Sequence, residues 1–188
     1  MNYYSENIIN SYIDNVEVDI LIDTIDQFYC DTKLLMFYYC RKIIHPAYIR
    51  RLIEDRENVK YAYRCMDTAE FRITSVPCLM AYVCEEMPTM DTYYILLICT
   101  KHQFKNMGYA SSLIQDFVED IHKKCERKRK RGKIVLSSLD TAATFYEKIG
   151  FHWTRKNLSE YSVLLQFEKV EKGKEYIMME MDCGYSLV

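Results

Sequence analysis

Tyr93-Tyr94-Ile95-Leu96-Leu97-Ile98-Cys99-Thr100 is followed by Lys101-His102-Gln103-Phe104-Lys105-Asn106-Met107-Gly108, and then by Tyr109-Ala110-Ser111-Ser112-Leu113-Ile114-Gln115-Asp116-Phe117-Val118. The first stretch is a short apolar run, suited to a strand buried on both faces. From Tyr109 the apolar positions fall at Tyr109, Ala110, Leu113, Ile114, Phe117, Val118 and Ile121, the spacing of an amphipathic helix. The polar link thus delivers a buried strand into a helix N-terminus. There the first amides lack intrahelical acceptors and the dipole adds partial positive charge, which suits an anion. The chain has 188 residues and only five glycines, so Gly108 is expected where another residue would be strained or would keep a ligand away from the backbone.

Working outward, Lys133 to Leu139 reads as a strand. Asp140 reads as the N-cap of a helix ending at Ile149, with Gly150 just past its end. Upstream, the sequence predicts a helix over Ala47–Glu57, strands over Val59–Cys65 and Pro77–Glu85, and a turn at Met87–Asp91. Leu34–Cys40 reads as a strand and residues 2–13 as a short helix, while Val16–Phe28 fits either. Phe151–Arg155 and Glu175–Met181 read as closing strands, with Tyr161–Glu168 an inserted strand or hairpin between them. Trp153, the only tryptophan, is expected in the core beside them. No repeat or linker appears, so a single domain over 1–188 is expected. It would be a mixed α/β sheet with helices on both faces.

Composition narrows the class. Apolar residues make up 49%, aromatic residues 14% and charged residues 28%, which excludes a disordered chain. No apolar run exceeds seven residues, well short of the roughly 18–20 needed to span a bilayer. The opening Met-Asn-Tyr-Tyr-Ser-Glu has neither the basic nor the apolar region of a secretory leader, so an intracellular, cytoplasmic protein without membrane attachment is expected. The eight cysteines and four histidines show no ligand spacing. Reduced, buried thiols and no metal are therefore expected.

Charge is uneven. Residues 1–32 carry seven acids and no Lys or Arg, whereas residues 123–133 carry eight bases and one acid. The first reads as a solvated acidic face and the second as a solvated basic loop. A nuclear-localisation or nucleic-acid role for the basic run is the alternative. The absence of interleaved aromatics and the net charge of −2 argue against it as the primary function.

Two segments carry a family likeness. Lys105-Asn106-Met107-Gly108-Tyr109-Ala110, after a strand and after Phe104, resembles the Arg/Gln-x-x-Gly-x-Gly/Ala signature of the GNAT N-acetyltransferase superfamily. Asp140-Thr141-Ala142-Ala143-Thr144-Phe145-Tyr146-Glu147-Lys148-Ile149-Gly150-Phe151 resembles that superfamily's Asn-x-x-Ala-x-x-Phe-Tyr-x-Lys-x-Gly-Phe segment. The likeness is good over residues 59–181 and poor over the divergent residues 1–58. It implies a GNAT-like, mostly antiparallel sheet of about seven strands, splayed between two central parallel strands.

The resemblance also implies acetyl-CoA as co-substrate. Backbone groups of Ile98, Cys99 and Thr100 would pair with its pantetheine arm, and amides from Lys105 through Asn106, Met107, Gly108, Tyr109 and Ala110 to Ser111 would hold its pyrophosphate. Asp140, standing where the family commonly has Asn, would touch the arm, and Lys148 would approach the nucleotide. Tyr146 matches the tyrosine that protonates the departing thiolate. The family's frequent strand Glu is missing from Tyr93-Tyr94-Ile95.

Transfer to an amine requires a neutral nucleophile, although alkyl amines with a reference pKa of about 10.4 are protonated at neutral pH. Glu85 and Glu86, at the end of the neighbouring strand, are the candidate bases. The acceptor expected is a primary amine, such as a basic peptide or a polyamine, and the chain a monomer or homodimer. A domain that binds the coenzyme without catalysis is the competing reading. Met87, Met90, Met178 and Met179 would line a groove or fill the core, and Cys99 reads as packing.

Overall fold

A computed structural model describes residues 46–55, 57–64, 76–168 and 176–184. The readings of residues 2–13, 16–28 and 34–40, and of the acidic first 32 residues, lie outside these. In chain order the elements are α1 (Pro46–Glu54), β1 (Lys60–Arg64), β2 (Cys78–Glu86), β3 (Met90–Thr100) and a 3-10 turn (His102–Phe104). They continue with α2 (Tyr109–Lys128), β4 (Arg131–Ser138), α3 (Asp140–Ile149), β5 (His152–Trp153), a 3-10 turn (Leu158–Glu160), α4 (Leu164–Phe167) and β6 (Ile177–Gly184). Six strands are found among the described residues, ordered β1-β2-β3-β4-β6-β5. β3 and β4 are parallel, and the pairs β1–β2, β4–β6 and β5–β6 are antiparallel. The architecture is the mixed α/β sheet expected, with its parallel pair where the motifs placed it.

Two compact units divide the chain. The first comprises residues 1–82 and 97–117, the second residues 83–96 and 118–188. In the first, α1 presents Ile49, Leu52 and Ile53 inward and β1 presents Tyr61, Ala62 and Tyr63, all buried. The Tyr61 hydroxyl donates to the Leu52 carbonyl at 3.2 Å, so its burial leaves no orphan polar group. Tyr82 meets Phe117 of α2 with ring centroids 4.7 Å apart. Arg64 of β1 pairs with Asp116 of α2. Helix α1 stops at Glu54, short of the Glu57 expected. The Asp55 carboxylate instead accepts from the Asn58 backbone N–H and side-chain amide, at 3.3 and 2.9 Å, and turns the chain.

In the second unit, β3 pairs with β4 from Met90↔Arg131 to Ile95↔Leu136, and β4 pairs with β6 from Arg131↔Gly184 to Ser138↔Ile177. Gly132 and Gly184 sit where these strands meet the side chain of Cys125. A Cβ on Gly132 would stand 2.6 Å from the Cys125 sulfur and 2.7 Å from the Cys183 carbonyl oxygen. That oxygen belongs to a backbone held in the ladder and has nowhere to move. Gly132→Ala is therefore expected to cost about 2–4 kcal/mol, measurable by urea unfolding.

Several sequence expectations need correction. The basic run is not a loop: it closes α2, turns at Arg129 (φ 53) and opens β4. The helix runs on to Lys128 because Cys125 extends its buried stripe one turn beyond Ile121. Within Tyr161–Glu168, Leu164–Phe167 forms a short helix, and no strand or hairpin is found there. Leu158, Tyr161, Leu164 and Phe167 are all buried, and their spacing of three winds the segment. Trp153 is 66% exposed on the edge strand β5 instead of in the core, whereas its neighbours Phe151 and Thr154 are buried. Met178 and Met179 fill the core, and Met87 is exposed on the β2–β3 turn.

Candidate functional site

β3 ends with Ile98, Cys99 and Thr100 half-exposed. The Thr100 hydroxyl donates to the Cys78 sulfur at 3.3 Å, and the Lys101 N–H donates to the Pro77 carbonyl at 2.9 Å, which anchors the strand end. Burial pushes the Cys78 thiol up to about 12, against the Thr100 bond that lowers it, so Cys78 is an inert packing group.

The following turn is tied back on itself, with Phe104 N–H donating to Lys101 O and Lys105 N–H to His102 O. Phe104 then packs edge-on against Tyr109, with centroids 5.7 Å apart, and fixes the approach to α2. Asn106 (φ 63) and Gly108 (φ 83) both lie in the left-handed region. Around Gly108 a Cβ would find no heavy atom within 4 Å, so the space in front of this backbone is open.

The first hydrogen bond of α2 runs from Ser112 N–H to the Gly108 carbonyl, 2.9 Å. Among the described residues, no backbone carbonyl accepts from the N–H groups of Asn106, Met107, Gly108, Tyr109, Ala110 or Ser111. This run of amides at the end of a 20-residue helix, with Lys105 exposed beside it, is what a diphosphate requires. The Lys105 N–H is itself taken by the His102 carbonyl at 3.3 Å, so the open run begins at Asn106.

In the second unit, α3 starts at Asp140 without a side-chain cap. The N-cap position is Leu139, and Asp140 is the first helical residue, so the cap expectation is corrected. Its exposed carboxylate still favours the positive end of the dipole. The helix closes on Gly150 at φ 112, as expected, and the Phe151 N–H donates to the Tyr146 carbonyl at 3.1 Å. Tyr146 is buried, edge-on to Phe145 at 5.0 Å and to Phe151 at 5.7 Å, which sets its ring. Lys148 is exposed on the last turn.

Glu85 and Glu86 differ in their partners. Glu85 accepts from the Tyr94 hydroxyl at 3.0 Å, whereas Glu86 pairs with Lys128 at 2.9 Å. Lys128 also reaches the fully buried Asp91 at 3.2 Å, and Lys130 reaches its other oxygen at 3.0 Å. Lys124 pairs with Asp120 and Lys133 with Glu180. Half of the basic run therefore serves as counterions inside the fold.

Glu180 lies at the centre of a network that the sequence did not disclose. Lys133 and Lys156 each stand 3.0 Å from it and the Tyr161 hydroxyl 2.7 Å, with Thr154 beside that hydroxyl at 3.3 Å. Burial works to raise its pKa, but the bonds from Tyr161, Lys133 and Lys156 prevail and hold it at about 2, below the ordinary 4.5. The stability this confers is present above pH 4.5 and drains away as pH falls through 2. Glu180→Gln is expected to lose about 2 kcal/mol at neutral pH, the full shift being discounted for solvent around the lysines, and to flatten stability between pH 5 and 2. Chemical unfolding across that range checks it.

Among the described residues, no cluster of three or more His, Cys, Asp or Glu could hold a metal ion, and no helix is long and apolar enough to cross a membrane. Cys78, Cys84, Cys99, Cys125 and Cys183 form no disulfide.

The fold is that of the GNAT acetyltransferases, as the two sequence motifs implied. Residues 79–159, which include β3, the amide-rich turn and α3, match the family model of the FR47-like proteins. Among solved structures, Tetrahymena GCN5 is similar at 14% identity and TM-score 0.56, covering 83% of this chain and 86% of that one. A Desulfovibrio desulfuricans protein assigned to the GNAT family of acetyltransferases is similar at 13% identity and TM-score 0.59, over 87% and 96%. Arabidopsis thaliana Naa50, solved with the bisubstrate analogue CoA-Ac-MVNAL, is similar at 18% identity and TM-score 0.52, over 83% and 93%. No curated protein sequence matches the chain.

Proposed function

We propose that this chain is an N-acetyltransferase that moves an acetyl group from acetyl-CoA directly to a primary amine held beside it. The observation that carries the reading is the run of unaccepted amides from Asn106 to Ser111 at the start of α2, with Lys105 adjacent. A bisubstrate CoA analogue bound to the similarly folded Naa50 supports the same coenzyme here. When bound, acetyl-CoA supplies an acetyl thioester, already activated toward amines.

The residues of this chain then have separable tasks. Asn106–Ser111 amides and the Lys105 ammonium hold the diphosphate, and Ile98, Cys99 and Thr100 offer strand-edge backbone to the pantetheine arm. Asp140 accepts from the arm and Lys148 serves the nucleotide end. Tyr146, its ring fixed by two phenylalanines, gives its proton to the leaving sulfur, and Glu85 or Glu86 receives the acceptor's proton. We also read the chain as one domain, since β2, β3 and α2 each run from one unit into the other, and as cytoplasmic, in keeping with the reduced state of its described cysteines.

The acceptor in this reading is a lysine-bearing peptide, a protein N-terminus or a small amine. Incubation with acetyl-CoA and a panel of amines, amino acids and basic peptides, followed by free-thiol release, tests it. Turnover of at least one amine is expected. Coenzyme binding without turnover across the panel would favour a binding domain, to which the missing strand Glu and the Asp140 departure point.

A further inference from the structure

We propose that the turn from α2 into β4, together with the tip of the β2–β3 hairpin beside it, is a docking surface for an acidic segment of a partner protein. This is independent of the acetyl-transfer reading above, and every residue of the surface lies in the second unit.

The bases of residues 123–133 divide by kind. The lysines are mostly spent on acids of the fold. Lys124 meets Asp120 at 2.9 Å, Lys128 meets Glu86 at 2.9 Å and Asp91 at 3.2 Å, Lys130 meets Asp91 at 3.0 Å, and Lys133 meets Glu180 at 3.0 Å. The remaining lysine, Lys123, stands 4.0 Å from Glu119. Arg127, Arg129 and Arg131 are all exposed, and among the described residues no carboxylate pairs with any of them. Glu126, the acid of the run, faces the His122 ring at 3.4 Å instead.

Local structure explains the division. Lys128 and Lys130 are both tied to the buried Asp91, so the chain turns at Arg129 (φ 53) and leaves its side chain in solvent. The Arg127 Nε donates to the Lys123 carbonyl at 3.3 Å, which steadies its guanidinium at the end of α2 and leaves the outer N–H groups for a ligand. The hairpin tip is fastened to the same turn: the Arg131 N–H donates to the Thr89 carbonyl at 3.3 Å and the Lys130 ammonium to the Met87 carbonyl at 3.0 Å. Met87, 51% exposed, therefore adds an apolar side chain to a surface of guanidinium groups.

This combination fits carboxylates better than it fits phosphates. A guanidinium is less strongly hydrated than an ammonium and grips a carboxylate with two parallel hydrogen bonds. Surfaces that bind other proteins are enriched in Arg and Met and depleted in Lys, Asp and Glu, and here the lysines and acids have largely cancelled one another. A nucleic acid would engage the arginines but leave Met87 idle, and it would approach a chain of net charge −2. An acidic peptide with an apolar residue among its carboxylates uses every group present.

The test titrates the full chain into three fluorescent probes and follows anisotropy: a peptide of glutamates interspersed with leucine, a peptide of glutamates alone, and a single-stranded oligothymidylate. The leucine-bearing peptide should bind tightest and weaken as salt rises. Replacing Arg127, Arg129 and Arg131 together by Gln is expected to weaken it roughly 30-fold, as the loss of three exposed charge pairs. Replacing the same three by Lys, which keeps the charge and removes the fork, should weaken it roughly fivefold. Met87→Ser should cost the leucine-bearing peptide roughly fivefold and leave the glutamate peptide unchanged. Arg50→Gln with Arg155→Gln, which removes two exposed cations elsewhere, should shift affinity by less than about twofold. Thermal midpoints close to wild type check that each variant is folded. Neither peptide binding, an equal loss in the Arg50 and Arg155 control, or wild-type affinity in Met87→Ser overturns the proposal. Tighter binding of the oligothymidylate would make the surface one for nucleic acid, and self-association abolished by the triple Gln variant would make it a contact between copies; either result overturns it too.

Discussion

Gly108→Asp is expected to weaken acetyl-CoA binding about 1,000-fold while leaving the fold almost as stable as before. The backbone at Gly108 is at φ 83, a conformation that costs a non-glycine residue about 1–2 kcal/mol and that Asp tolerates better than most. A Cβ there meets no heavy atom within 4 Å, so the protein itself has room for the carboxylate. That carboxylate would stand in front of the amides of α2 and compete for them with the diphosphate. At a separation of about 4 Å and an effective dielectric near 20, one such repulsion costs about 4 kcal/mol, or nearly three decades in affinity. Gly108→Ala, which adds the backbone strain without the charge, should lose only about fivefold. Calorimetric titration with acetyl-CoA separates the two, and an unchanged affinity in Gly108→Asp would contradict the assignment of the turn.

Tyr146→Phe is expected to lower kcat about 100-fold with acetyl-CoA affinity within about twofold. The loss is confined to the hydroxyl: phenylalanine keeps the ring, and with it the edge-on contacts to Phe145 and Phe151. A thermal midpoint within a few degrees of wild type should accompany the kinetic loss. Steady-state kinetics with the acceptor that turns over fastest gives the first number and calorimetry the second. A wild-type kcat would remove Tyr146 as the proton donor and return it to core packing.

The parts of this account that were legible in the sequence are those fixed by local pattern. The buried run into Gly108 and the helix from Tyr109 stand as read, because a strand, a polar turn and a helical stripe each leave a mark within a few residues. Gly150 after α3 is the same kind of signal. What escaped is held by partners far apart in the chain. Lys128 and Lys130 find Asp91 across 37 and 39 residues, and Lys133 finds Glu180 across 47, so a run of charges that reads as a solvated loop is counterion chemistry instead. The exposure of Trp153 depends on β5 lying at the edge of the described sheet, which no local pattern states. The helix at Leu164–Phe167 was in fact readable from the three-residue spacing of Leu158, Tyr161, Leu164 and Phe167, a period that the aromatic, β-like composition of the segment obscured.

Tyr94 is the instructive omission. Tyr93-Tyr94-Ile95 carries no acid, a departure from the family pattern, yet the tight turn at Met87, whose N–H donates to the Met90 carbonyl at 3.1 Å, folds β2 back beside β3. An acid on the neighbouring strand can thus reach the hydroxyl of a tyrosine on the central one.

The most direct measurement is the structure of this chain with acetyl-CoA bound. The account predicts the diphosphate oxygens within hydrogen-bonding distance of backbone N–H groups between Asn106 and Ser111, with the Lys105 ammonium alongside. A coenzyme seated elsewhere, with those amides satisfied by the protein's own side chains, would contradict it.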